Sequence, residues 1–411
     1  MTAARPILLI GTFDTKGEEY AYVRSLIVER GLPVLTMDLG VLGDVGSAPF
    51  PIDISAEQVA GAGGTPLATL RERKDRGSAV EVMLAGARTL IRELHAAGRF
   101  GAVLGLGGGG GTTMIAAAMR ELPVGVPKLM VSTMASGNTA PYVDVKDITM
   151  MYSVVDIAGL NPISRQILAN AAGAICGMVE QAARMRPETA PQRPLIAATM
   201  FGVTTPCVTA ARKRLEDAGY DVLVFHATGT GGRAMEGLID DGWFAGVLDV
   251  TTTEWCDEVV GGVLSAGPDR LSAAARKGIP QVVSVGALDM VNFGGMETVP
   301  DRFRGRTLYR HNPTVTLMRT TPDECREIGC RIAEQLNRAT GIVTVLLPLR
   351  GVSMLDAEGQ PFHDPEADRA LFESLRQHAG PGVAVRALDA HINDPEFARA
   401  LADELLGHLS H

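Results

Sequence analysis

Short, nearly continuous apolar runs alternate along this chain with longer stretches whose apolar positions recur every three or four residues. The first pattern is that of strands buried on both faces, and the second that of helices covering them. Their alternation predicts an α/β fold with a mostly parallel sheet. "PILLIG" (6–11) reads as a strand, "KGEEYAYVRSLIVERG" (16–31) as a helix closing at Gly31, and "PVLTMD" (33–38) as a second strand. An irregular stretch with helical pieces leads to a helix over 79–98 and then to the strand "GAVLGL" (101–106). A glycine run, a helix, the strand "KLMVST" (128–133), the segment 148–157 and a long helix over 162–184 complete this half.

The pattern then starts again. "RPETAPQRP" (186–194), with three prolines and no apolar residue larger than alanine, reads as a linker. Beyond it, 195–226 repeats the order of parts seen over 7–38: strand, Gly/Thr-rich turn, helix closing at a glycine (Gly31 or Gly219), strand. Strands at 246–252, 281–286, 341–349 and 382–389 follow, with helices near 254–264, over 321–341 and from Pro395. Thr321 and Glu324 stand at capping-box spacing, with Pro322 just inside that helix. The expected architecture is two Rossmann-like, three-layer αβα domains over 1–185 and 195–411, with the last helix (395–409) either in the second domain or folded back on the first. A chain of 411 residues suits two such cores.

Composition narrows the chemistry. A formal charge of −9, without a basic stripe interleaved with aromatics, argues against a nucleic-acid binder. No run reaches the ~20 apolar residues of a membrane span, and the N-terminal apolar run is too short for a secretory signal. Five scattered cysteines without a CxxC read as reduced thiols in a cytoplasmic protein.

Ligands of open α/β sheets lie beyond the C-terminal strand ends, so the residues there are the candidates. "GLGGGGGTTM" (105–114) places Gly107, Gly108, Gly109, Gly110 and Gly111 between a strand and a helix, followed by Thr112 and Thr113. It contains GxGxxG, an almost free match in so many glycines. It lacks both the Lys-Ser/Thr of a Walker A loop and a ribose-binding acid at the end of the next strand, which closes on Ser132 and Thr133. What remains is a turn of bare peptide N–H groups at a helix start, suited to an anion such as phosphate. "GTFDTKGEE" sets Thr12, Asp14 and Lys16 after the first strand, where Asp14 would cap the helix or hold a metal-bound water, and Lys16 would face solvent or a phosphate. "STMASGNT" offers Met134, Ser136, Gly137 and Asn138 in a third loop.

In the second half, "HATGTGGRAME" sets Gly229, Thr230, Gly231, Gly232 and Arg233 as a second anion cradle after His226. His226 would be a base or a satisfied buried histidine. Glu254 and Asp289, with Asp249 and Asp257, are candidate acids, and Asn292 a candidate substrate contact. No spacing suggests zinc, and no G-x-S-x-G elbow is present.

Taken together and in order, "GTFDTKGEE", "GLGGGGGTTM", "STMASGNT" and "HATGTGGRAMEGL" resemble the Tm-1-like ATP-binding family, also called UPF0261. The resemblance spans nearly the whole chain. It implies two Rossmann-like subdomains, ATP binding with Mg²⁺, and a homodimer. It places ATP contacts on Thr12, Asp14 and Lys16, the Gly107–Thr113 cradle and Met134 to Asn138, with Asp14 as the metal ligand. The leading expectation is an enzyme that uses ATP, bound in the first domain and facing a cleft to the second, to activate a small metabolite. His226, Glu254 and Asp289 would serve the chemistry, and the 229–233 loop with Asn292 would hold the acceptor. A non-catalytic, ATP-stabilised dimeric regulatory or interaction module is the alternative, and an NAD(P)-dependent oxidoreductase a third.

Overall fold

The computed structural model describes residues 5–41, 48–185 and 193–410. The linker expected over 186–194 lies mostly outside the described residues. The chain divides between residues 189 and 190 into two compact units.

The first unit runs β1 (Ile7–Gly11), α1 (Phe13–Glu29), β2 (Val34–Asp38), α2 (Ala56–Ala62), α3 (Leu67–Arg73) and α4 (Arg76–Ala96). It continues with β3 (Ala102–Gly107), α5 (Gly109–Met119), β4 (Lys128–Ser132), α6 (Ala140–Val143), β5 (Thr149–Tyr152) and α7 (Pro162–Arg184). Its sheet is wholly parallel, in the order β2-β1-β3-β4-β5. Successive residues of β1 serve opposite faces, as the period of a strand requires. Leu8 and Ile10 pack with Val59, Met83 and Ile115 under α2, α4 and α5, whereas Ile7 and Leu9 pack with Val23, Ile27 and Ile175 under α1 and α7.

The second unit begins with β6 (Leu195–Met200), α8 (Thr205–Asp217), β7 (Asp221–His226), α9 (Thr230–Asp240), β8 (Gly246–Thr251) and α10 (Glu254–Val260). Next come α11 (Ser272–Lys277), β9 (Gln281–Gly286), β10 (Met290–Phe293), β11 (Leu308–Asn312), β12 (Val315–Arg319) and α12 (Pro322–Leu336). It closes with β13 (Val343–Pro348), α13 (Pro365–His378), β14 (Val383–Leu388) and α14 (Pro395–Leu409). The main sheet is again parallel, in the order β14-β13-β9-β8-β6-β7.

Counting strands within each unit, both sheets share the order 2-1-3-4-5, and the second adds a sixth strand at its far edge. This is the flavodoxin-like doubly wound order. The repeat in the sequence is therefore a repeat of topology. An antiparallel sheet, β10-β12-β11, is inserted between β9 and α12 and was not expected. The last helix does not need the first domain for its apolar face. Phe397, Leu401 and Leu405 of α14 share a core with Ile196, Val208 and Leu215 of its own unit. Among the described residues no helix is long and apolar enough to cross a membrane.

Candidate functional site

In the first unit the strand order reverses between β1 and β3, and there a crevice opens at the C-terminal strand ends. One side chain bridges the two strands just below it. β1 and β3 are in register as far as Ile10 and Gly105. Past that point the Tyr20 hydroxyl enters between them, donating to the Ile10 carbonyl (2.6 Å) and accepting from the Leu106 N–H (2.7 Å). Any β-carbon on Gly11 would fall 1.9 Å from that oxygen, so Gly11 ends the strand to admit the phenol. Burial raises the Tyr20 pKa, which keeps the hydroxyl protonated.

The glycine run lies on the far side of the crevice. Gly107 closes β3, Gly108 is the N-cap of α5, and Gly109 to Gly111 form its first turn. A β-carbon on Gly107 would strike the Thr112 nitrogen at 2.8 Å, so packing accounts for that glycine. It does not account for the next four. A β-carbon at 108, 109, 110 or 111 would meet nothing closer than 3.7 Å. None of the four has positive φ. Within the protein these are positions where side chains fit, and glycine in a helix is about 0.8–1.0 kcal/mol less favourable than alanine. No side chain caps α5, so its first N–H groups face outward.

The two threonines that end the expected cradle are engaged within the protein. Thr112 is fully buried, with its hydroxyl paired to Ser132 Oγ (2.7 Å), and Thr113 Oγ1 donates back to the Gly109 carbonyl (2.9 Å).

The crevice is a cavity of about 680 Å³. Thr12, Asp14, Thr15 and Lys16 line one side and Gly108 to Gly111 another. Leu39, Val41, Leu70, Val80 and Met114 give it an apolar wall, and Arg71, Lys74 and Arg76 a cationic one. The structure thus brings Thr12, Asp14 and Lys16 together with the glycines. The Lys16 ammonium donates to the Ile157 carbonyl, where the α1 backbone departs from helical geometry. The Asp14 carboxyl stands over Gly40, where a β-carbon would come within 2.5 Å of its Cγ.

The 134–138 loop lies outside the cavity lining except for its approach at Met134, whose Sδ is 4.0 Å from where a Gly109 β-carbon would be. Asn138 Oδ1 accepts from the Ala140 N–H, Gly137 donates to the Met134 carbonyl, and Ser136 is exposed.

Two features escaped the sequence reading. The cations arrive on the α3–α4 elbow "RERKDR" (71–76), within a stretch read only as irregular with helical pieces. The acid sought after the glycine run stands instead at the end of β2, as the strand order requires. It is Asp38, and its Oδ1 accepts from the N–H groups of Phe13 (3.0 Å) and Gly40 (2.9 Å). It caps the start of α1 and is not among the residues lining the crevice.

The second unit corrects the other expectations. The 229–232 cradle exists, but a carboxylate of the same chain fills it. Glu254 Oε1 accepts from the N–H groups of Gly229 (2.7 Å) and Gly232 (3.0 Å), and Oε2 from Arg270 Nε (2.7 Å). Arg270, 1% exposed, also forms a bidentate pair with Asp249 (2.6 and 2.7 Å) and reaches Glu236 (3.1 Å). Glu254 is therefore an internal counter-ion, not a free acid, and Gly231 packs on the His226 carbonyl. Thr230 opens α9, and Arg233 Nη1 donates to the Ser265 carbonyl.

His226 is exposed at the end of an edge strand, its ring edge-on to Phe201. Asp289 is fully enclosed, accepting from Ser353 Oγ (2.7 Å), and burial pushes its pKa up to about 6. It belongs to a group in which Arg319 also holds Asp356 (3.2 Å) and Asp368 (2.7 Å). Asn292 is bound through its N–H and amide to Asp257 (both 2.7 Å). His226, Glu254 and Asp289 thus occupy three separate environments.

Residues 5–184 match the N-terminal domain, and residues 193–409 the C-terminal domain, of the family described as Uncharacterised protein family (UPF0261). The chain is 53% identical over 403 residues to a UPF0261 protein of Clostridium tetani, covering 98% of each. Identity to a UPF0261 protein of Rhizobium meliloti is also 53%, over 96% of each chain. The ToMV resistance protein Tm-1 of Solanum lycopersicum is 46% identical over 80% of this chain and 44% of that protein. With both domains matched in order and relatives aligned almost end to end, the chain belongs to the UPF0261 family.

Proposed function

We propose that the first unit binds a nucleoside triphosphate, ATP with Mg²⁺, in the crevice between the ends of β1 and β3. The observation that carries this reading is the run of four glycines that packing does not demand, at an uncapped helix start facing a cavity. A backbone kept bare where side chains fit is one that something from outside must approach closely. The cavity supplies the rest of a nucleotide's requirements, with an apolar wall for the base and cations for the phosphates. The choice of adenine follows the family resemblance.

Mg²⁺ fits the donor set in the form it takes with nucleotides, held by one or two carboxylates, water and phosphate oxygens. Asp14 is the carboxylate in place. Among the described residues no group of three or more His, Cys, Asp or Glu side chains is arranged to hold a metal by itself. The ion would neutralise phosphate charge. The chain's own part is to seat one phosphate on the N–H groups of α5 and to exclude water with Leu39, Leu70 and Met114. Asp38, engaged by two N–H groups, speaks against a dinucleotide ribose.

Calorimetry with ATP and Mg²⁺, and with NADH as the comparison, tests the reading. ATP should bind, and Gly109→Val should weaken it at least tenfold with the circular dichroism spectrum unchanged. Binding of NADH alone, or ATP binding indifferent to Gly109→Val, would overturn it. An enzyme would release ADP when an acceptor is supplied, whereas a regulatory module would change its sedimentation with ATP and release none.

A further inference from the structure

Two segments of the cavity lining make opposite residue choices. At 108–111 the chain keeps glycine where side chains fit. At position 74, the C-cap of α3, it does the reverse, holding a lysine at φ +52°, where glycine is the favoured residue. That left-handed residue turns the chain from α3 into α4, whose N-cap is Asp75 and whose first residue is Arg76. Asp75 Oδ1 accepts from the N–H groups of Gly77 and Ser78 (3.0 and 3.4 Å), so its charge is engaged by the start of α4.

Among the described residues the Lys74 and Arg76 side chains make no ion pair or hydrogen bond, and both residues line the cavity. The Arg76 Nη2 atom lies 3.7 Å from the point where a β-carbon on Gly110 would be. The guanidinium thus stands beside the open N–H groups of α5. The other two cations of the lining are already held, Lys16 by the Ile157 carbonyl and Arg71 by the Val41 carbonyl (2.8 Å).

We propose that Lys74 and Arg76 form a clamp for the outer phosphates, making the site selective for a triphosphate over a monophosphate. This rests on the nucleotide reading above and adds its specificity. A long phosphate tail needs more positive charge than the helix end supplies. The end of α5 offers the equivalent of roughly half a charge, enough to favour one phosphate group. Each further phosphate brings charge that only a cation or metal can offset. Arg76 gives a planar fork suited to two oxygens of a phosphate, and Lys74 a mobile point charge at the rim.

The test compares AMP, ADP and ATP, each with Mg²⁺, by calorimetry on the full chain and on the variant Lys74→Gly with Arg76→Ala. Glycine is chosen at 74 because it keeps the left-handed turn, and thermal melting confirms that the variant folds. For the native chain ATP should bind at least tenfold more tightly than AMP. In the variant that ratio should fall to within about threefold, with AMP affinity nearly unchanged. Arg76→Lys should fall between. An ATP-to-AMP ratio unchanged in the variant overturns the clamp while leaving nucleotide binding intact. A native chain that binds AMP as well as ATP also overturns it. A native chain that binds none of the three overturns the nucleotide reading and the clamp with it.

Discussion

At Gly110 a methyl group would meet only the Arg76 guanidinium, at 3.7 Å. Gly110→Ala should therefore raise thermal stability, by up to about 1 kcal/mol, while lowering nucleotide affinity. Thermal melts and calorimetry on one sample read both effects. Tyr20→Phe works in the opposite direction. It strips partners from the buried Ile10 carbonyl and Leu106 N–H, and should cost about 1–3 kcal/mol in urea denaturation.

A third residue sets a pH dependence. Burial, with Glu254 nearby, pushes Asp257 up to about 7 against the pull of its Asn292 hydrogen bonds. The folded chain then keeps a proton that the unfolded chain releases near pH 4, so stability falls as pH rises from about 5 to 7. Asp257→Asn should flatten that part of the curve by about 1–2 kcal/mol relative to the native chain. The Asn292 Oδ1 atom has no partner, and a half-turn of its amide presents that atom to an asparagine at 257. The glycines were legible in the sequence because they are adjacent and follow a strand. Tyr20 and Arg76 were not, since each is placed by a helix whose rotation only packing fixes.

Elements with strong local signals appear as the sequence predicts. The Thr321–Glu324 capping box is formed in both directions, and α7 spans the residues read for it. The inserted antiparallel sheet left no such signal. β10 and most of β12 are buried, so neither shows the apolar–polar alternation of an exposed strand. The loop at 229–232 failed as a site for a different reason. Its glycines do cradle an anion, but Glu254 arrives from α10, 22 residues beyond Gly232. Sequence distance hides such a partner. Glu254→Ala should destabilise by about 1–3 kcal/mol, because it leaves two buried N–H groups and the Arg270 Nε without their acceptor. Chemical denaturation followed by Trp fluorescence reads it in the second unit, where both tryptophans lie.

For the whole molecule, two units with the same strand order do not imply two ligands. One cradle is bare and the other is closed by the protein's own carboxylate, so calorimetric titration should saturate at one nucleotide per chain. Every residue lining the first cavity lies within residues 12–114. A fragment over residues 5–185 carries both layers of its own core. It should fold cooperatively and bind ATP within about threefold of the full chain, as melting and calorimetry would show. The alternation of strands and helices made two α/β units legible from sequence, because short parallel strands buried on both faces leave little else for such runs to be. It did not reveal which unit keeps an open site, which depends on a single buried glutamate.

Three of the four bare glycines also set up a conflict of selection pressures. Mutagenesis followed by selection for heat resistance alone should accumulate alanine at positions 109–111, because each replacement helps the helix. Selection for ligand capture should remove the same alleles. Variant libraries sorted both ways ought to show opposite enrichments at these three codons and agreement at Gly107, where the backbone of Thr112 forbids any side chain. Opposed enrichment at 109–111 would separate the functional part of the loop from its scaffold.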